Sequence, residues 1–192
     1  MLALQSMTYV YTGIRVRVSI LPAGVEIMTQ MVPIAITILK QGDKFLFLKR
    51  RNPPYENLWS LVGGKVNVGE HIPSAAVREV MEETGTEDLE NYRLKGVVSE
   101  RLVGIQGALV SHFLIFVGMA SISSHIDQHR EGTLALYSSE EVQSLKESIL
   151  PSDYEMFTRF VAVESESLAY HEAELIQHEG MYTLRYYREV IT

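Results

Sequence analysis

The stretch from Gly63 to Thr86, GGKVNVGEHIPSAAVREVMEETGT, constrains this chain more than any other. A glycine pair opens it. Pro73 and Ser74 suit a helix start and Gly85 suits a stop. Side chains on a helix between them step by about 100°. Val77, Val80, Met81 and Thr84 then share one face, and Glu79, Glu82 and Glu83 fall on the opposite side at spacings of three and four. Like charges at i,i+4 cost roughly 0.2–0.5 kcal/mol per pair, so something must offset the repulsion. A hard divalent cation, Mg²⁺ or Mn²⁺, does so, because such ions favour carboxylate, carbonyl and water oxygens. Gly63 and Gly64 allow the backbone to approach closely, which offers a carbonyl as a further ligand. Arg78 can orient a carboxylate through a bidentate pair. Taken alone, the three glutamates are also compatible with a solvated acidic helix face.

The wider spacing favours the functional reading. Gly64 is followed by five residues and Glu70, then by seven residues and Arg78-Glu79, and the run closes through Glu82, Glu83 and Gly85. This pattern resembles the Nudix box, the signature of hydrolases that cleave nucleoside diphosphates linked to another group. Every fixed Gly, Glu and Arg of that signature is present. Two positions depart from it: Thr86 stands where an aliphatic residue is usual, and Val62 stands where Pro often precedes the glycines. Neither change removes a ligand. Trp59, just ahead of the glycines, adds to the likeness.

The resemblance implies an α+β Nudix fold, a mixed sheet sandwiched between helices. It covers about Val32–Ile149. It also implies a ligand set: Glu79, Glu82 and Glu83 on the metal, the Gly64 carbonyl beside them, and Glu70 holding Arg78, which in turn positions the glutamates. Many members carry one more Glu in a loop after the box. Glu131 is the candidate here and Glu100 its competitor. Glu79 or Glu131 would act as general base.

The rest of the chain reads around this core. Thr8–Leu21 alternates β-branched and aromatic residues with Arg15 and Arg17 and suits a strand or hairpin arm, broken by Pro22-Ala23-Gly24. Met31–Leu39 and Lys44–Arg50 suit buried strands joined at Gln41-Gly42-Asp43. Lys49, Arg50 and Arg51 end the second strand beside the glycine loop, where they can meet substrate phosphates. Leu58–Val62 returns to strand. Tyr92–Val103 and Leu109–Ala120 suit strands about a Gly104–Gly107 turn, with His112 as a hydrogen-bonded structural residue. Ser121–Gly132 is a polar loop. Leu134–Tyr137 is a short strand, and Ser138-Ser139-Glu140-Glu141 has the chemistry of a capped helix start. Asp153–Val163 suits a helix, and Leu168–Gln177 with Met181–Val190 a hairpin about His178-Glu179-Gly180. Three segments result: residues 1–30 as an N-terminal β extension, 31–150 as the catalytic domain, and 151–192 as a C-terminal helix and hairpin.

Composition excludes some functions. The net charge of −7 opposes a general nucleic-acid binder, because phosphate attraction needs a basic surface. The absence of cysteine excludes disulfides and thiol catalysis and fits a reducing cytoplasm. Apolar runs fall short of the ~20 residues that span a bilayer, and no secretory signal opens the chain. The expectation is a cytoplasmic enzyme acting on a small nucleotide, with a homodimer as one candidate assembly and the oligomeric state left open. Arrays that mark other subgroups are missing, including the proline that ADP-ribose enzymes often carry downstream of the box, since Val98–Leu102 has none. The chain therefore looks most similar to MutT-like nucleoside triphosphate pyrophosphohydrolases. The alternatives are an ADP-ribose or nucleotide-sugar pyrophosphatase and a non-catalytic Nudix-fold nucleotide-binding module.

Overall fold

A computed structural model describes residues 5–11, 14–20, 31–162 and 167–190, with the backbone alone described for 5–11 and 14–20. Its strands are β1 (Gln5–Tyr11), β2 (Ile14–Ile20), β3 (Met31–Gln41), β4 (Lys44–Arg50), β5 (Trp59–Ser60), β6 (Val62–Lys65), β7 (Leu89–Gly104), β8 (Leu109–Ile122), β9 (Gln128–His129), β10 (Gly132–Tyr137), β11 (Ala169–His178) and β12 (Met181–Glu189). The helices are α1 (Ile72–Thr84), α2 (Ser139–Ser144) and α3 (Pro151–Ala162). The expected N-terminal arm is an antiparallel pair of β1 and β2, forming a sheet of its own. The Arg15 and Arg17 side chains and the Pro22-Ala23-Gly24 break lie outside the described residues.

The main sheet runs β12-β11-β7-β8-β3-β4-β10-β9, with β5 paired to β4 and β6 to β3. It is mixed: β3 lies parallel to β8 and β11 parallel to β7, and the other pairs are antiparallel. β4 explains the sandwich. Alternate residues of a strand face opposite sides, and the four residues Phe45 to Leu48 of KFLFLKR are all apolar. Phe45 and Phe47 pack with Phe157 and Met156 of α3 on one side. Leu46 and Leu48 pack with Val80 of α1 and with Val62 on the other. Phe47, Leu46 and Leu48 are fully buried, each worth roughly 1.5–3 kcal/mol of transfer free energy.

α1 begins at Ile72 after His71, carries Pro73 in its first turn, and stops at Gly85 in the left-handed conformation (φ 68°), whose N–H donates to the Met81 carbonyl. Its faces are not divided as the sequence suggests. Val77 and Met81 are exposed, whereas Ala75, Ala76, Val80, Glu83 and Thr84 are buried. Ala75 and Ala76 lie against Ala35 of β3, so small side chains let the helix sit close to the sheet. Val77 and Met81 would be too long for that contact, and they line an open hollow along the outer side of the helix instead. α2 has the expected capping box, with Ser138 and Glu141 bonding each other's backbone. The polar loop is more ordered than expected. β9 pairs with β10 through Gly132 and His129, which sets Glu131 in a tight turn. α3 places Phe157 and Phe160 in the core shared with the sheet.

Candidate active site

The site forms where α1 passes over β6. β6 is held on β3 by the pairs Ala35–Gly64 and Ile36–Gly63. Two hydrogen bonds tie β5 and the chain entering β6 to the start of α3: the Leu61 N–H donates to Asp153 at 2.7 Å, and the Leu150 N–H to the Trp59 carbonyl at 2.8 Å. Gly63 has no room for a side chain, because a Cβ there would lie 2.2 Å from the Ala35 carbonyl oxygen. Its N–H donates to the Glu83 carboxylate at 3.0 Å. Gly64 lies directly under Glu79, since a Cβ there would be 2.6 Å from the carboxyl carbon and both oxygens. The glycines are therefore required for two different reasons, backbone packing at Gly63 and space for a carboxylate at Gly64.

Arg78 organises the acidic side of the site. Its Nε and Nη2 each donate to Glu70 at 2.9 Å, a bidentate fork. Nη2 also reaches the Lys65 carbonyl at 3.0 Å, and Nη1 reaches Glu79 at 2.7 Å and Glu82 at 3.4 Å. Glu70 accepts further from the Asn67 N–H, which closes the loop before the helix. The fork holds the Glu70 carboxyl down at about 2.

Glu83 is 3% exposed. Burial pushes its carboxyl up to about 8, against the Gly63 N–H, and the Glu131 and Glu79 carboxyls nearby push the same way. Glu131 reaches it from the β9–β10 turn. The Arg51 N–H donates to the Glu131 carbonyl at 2.8 Å and fastens that turn to the end of β4. Three carboxyls thus gather, with Arg78 2.7 Å from Glu79 and Arg130 3.9 Å from Glu131, and their donor set is all oxygen. This fits a hard divalent cation. Among the described residues no three acidic, His or Cys side chains stand close enough together, as they are placed, to hold a metal ion. Glu82 is half exposed and turned toward Arg78.

The predicted residues divide accordingly. Glu70, Arg78, Glu79, Glu83, Glu131 and the two glycines come together, with Glu82 at the margin. Glu100 does not join them. It is buried beside Asp153 and Ser152 under α3, where burial pushes it up to about 8. Arg50 lines a cavity with Glu131, its Nε donating to the Pro54 carbonyl at 3.1 Å. Arg51 is exposed and reaches Gln128 at 3.5 Å. Lys49 points to the other face of β4, over the Trp59 ring at 5.9 Å, and is not brought to the glutamates. The strand alternation that lets β4 serve two cores separates it from Arg50. His112 bonds Ser99 at 2.9 Å, as its structural reading requires. Asn52 and Arg130, which line the cavity with Arg50 and Glu131, are additions of the structure. Arg130 adjoins Glu131 in sequence, the one signal that pointed to it.

Comparison with known proteins agrees with this geometry. The model of the NUDIX domain matches residues 29–162. An ADP-ribose pyrophosphatase of Methanocaldococcus jannaschii is 44% identical over 48 residues, 25% of this chain and 28% of that protein. A putative 8-oxo-dGTP diphosphatase of Bacillus subtilis is 44% identical over 50 residues, 26% of this chain and 32% of that protein. The chain thus spans about a third or less of these two relatives. A crystal structure of a MutT protein from Bacillus halodurans superimposes with a TM-score of 0.68 at 27% identity, over 83% of this chain and 97% of that one. No described helix is long and apolar enough to cross a membrane. With most of its length matched by the domain model and the signature residues gathered around Gly63 and Gly64, the chain belongs to the Nudix hydrolase family.

Proposed function

We propose that this chain is a pyrophosphohydrolase that cleaves the diphosphate of a small nucleotide in the presence of Mg²⁺ or Mn²⁺. The observation that carries the reading is the approach of Glu79, Glu83 and Glu131 to one another over the glycine pair, with Arg78 bracing Glu79 from Glu70. Glu79, Glu82, Glu83 and the Gly64 carbonyl would hold the cation. When bound, it supplies neutralisation of the diphosphate and a lowered pKa for water.

The chain's own residues do the rest. Arg78 fixes the rotamer of Glu79, so that little ordering remains to be done when substrate arrives. Glu131, or Glu79, accepts a proton from the attacking water. The water oxygen bonds to phosphorus as the bridging P–O bond breaks, and the bridging oxygen leaves with its phosphate. Arg50 and Arg51, at the end of β4, meet the phosphate oxygens. Gly64 keeps the carboxylate and the backbone close together, which no larger residue permits.

The preferred substrate is a nucleoside triphosphate, giving a nucleoside monophosphate and pyrophosphate. The likeness to the MutT protein over most of both chains supports this. The relative named an ADP-ribose pyrophosphatase supports the second reading, ADP-ribose or a nucleotide sugar. The test is product release from triphosphates, ADP-ribose and nucleotide sugars with each metal, beside Glu83→Gln. Metal-dependent turnover lost in the variant is the expected result. Binding without turnover across the panel would convert the reading to a nucleotide-binding module.

A further inference from the structure

Glu131 also lines a cavity of about 370 Å³, together with Arg50, Asn52 and Arg130. Two separate elements supply its cations. Arg50 ends β4, and Arg130 sits in the turn between β9 and β10. The pairing of Arg50 with Gly132 and the Arg51 N–H on the Glu131 carbonyl keep these elements together. Gly132 permits the approach, since a Cβ there would fall on the Lys49 carbonyl. Arg50 is restrained by its bond to the Pro54 carbonyl. Arg130 stands 3.9 Å from the Glu131 carboxylate with its side chain 77% exposed, so it can turn toward a ligand at little cost.

The local charge reverses the sign of the molecule. The chain as a whole carries −7. This cavity places two guanidiniums and a side-chain amide against one carboxylate. Guanidiniums present paired donors in a fixed fork that matches phosphate oxygens, and the amide of Asn52 adds two more donors. A neutral ribose or hexose would bring the two guanidiniums no anion beyond Glu131 and would gain little from them.

We propose that Arg130 and Asn52, together with Arg50, seat a phosphate beyond the scissile anhydride, so that the chain selects nucleotides ending in a phosphate over nucleotides capped by a sugar. This rests on the hydrolase reading above and narrows its substrate class. Glu131 is the hinge between the two halves of the site: its carboxyl meets Glu83 on one side and the cavity on the other. The leaving portion, pyrophosphate, would occupy the cavity.

The test uses the full chain with Mg²⁺, as wild type, Arg130→Ala, Arg130→Lys and Asn52→Ala. Selectivity is the ratio of kcat/KM for a nucleoside triphosphate to that for ADP-ribose. Each alanine variant should lower this ratio by about tenfold or more, the scale of one charge-assisted hydrogen bond, and Arg130→Lys should recover part of it. In parallel, calorimetry with pyrophosphate and with a non-hydrolysable α,β-methylene triphosphate reads the site without turnover. Arg130→Ala should weaken both by a similar factor and flatten the salt dependence of binding. Equal loss on both substrate classes, or unchanged Kd values, would overturn the proposal. If no substrate is turned over, the hydrolase reading fails, and the calorimetry still decides whether Arg130 and Asn52 hold the phosphate.

Discussion

Alanine at Gly64 and alanine at Gly63 should fail in different ways. At Gly64 the added Cβ meets only the end of the Glu79 side chain, at 2.6 Å. To reach an ordinary contact of 3.4 Å or more the carboxylate must move by at least 0.8 Å, which it can do by rotating away. The stability cost is small. Losing the partly buried Glu79–Arg78 pair costs about 1 kcal/mol or less, and the stiffer unfolded chain returns roughly 0.4–1 kcal/mol. Catalysis is another matter, since a displacement near 1 Å can cost about 10²-fold. At Gly63 the Cβ meets backbone, the Ala35 carbonyl at 2.2 Å and the Ile36 Cα at 2.7 Å, and φ is 151°. Only a shift of β6 off β3 relieves that, at a cost of about 3 kcal/mol or more. Chemical denaturation followed by Trp59 fluorescence gives the stabilities, and steady-state hydrolysis gives kcat/KM. Gly64→Ala should keep its unfolding midpoint and lose activity, and Gly63→Ala should lose both. A fully active Gly64→Ala would refute the placement of Glu79 at the reacting centre. A Gly64→Ala as unstable as Gly63→Ala would refute the distinction between side-chain and backbone contact.

Other consequences can be checked separately. Arg78→Lys retains the charge but cannot fork to Glu70 while reaching Glu79, so kcat should fall by about 10–100-fold, with stability kept within about 1 kcal/mol by thermal denaturation. Glu100 ionises near 4.5 unfolded and is pushed by burial up to about 8 when folded. The protonated form therefore favours the folded state, and that contribution is full below about pH 4.5 and is lost as pH rises through 8. Glu100→Gln cannot ionise, so its advantage over the native chain should grow by about 1.4 kcal/mol per pH unit across this window in urea titrations, and parallel curves would contradict it. The same variant should still turn over substrate, whereas Glu131→Gln should lose at least about 10²-fold. Phe157→Ala should cost about 3–5 kcal/mol of unfolding free energy, because it empties the contact between α3, Phe45 and Phe47.

What the sequence determined by itself was local and chemical. Pro73 and Gly85 bound a helix because proline fits its first turn and glycine its left-handed stop. The spacing of Gly64, Glu70, Arg78, Glu79 and Glu83 carried the site, because a loop and a helix of fixed pitch leave such residues few arrangements. The two-sided apolar run of β4 announced a sheet covered on both faces. Tertiary packing decided the rest. Only the closeness of Ala75 and Ala76 to Ala35 turned α1 so that Glu83 is buried and Val77 is not. Only the pairing of β10 with β4 brought Glu131 to Glu83, and only the place of β7 between β8 and β11 left Glu100 beneath α3. Those outcomes depend on contacts between residues tens of positions apart. Helical periodicity fixes which side chains share a face of one element, and the neighbouring elements fix which of those faces is covered.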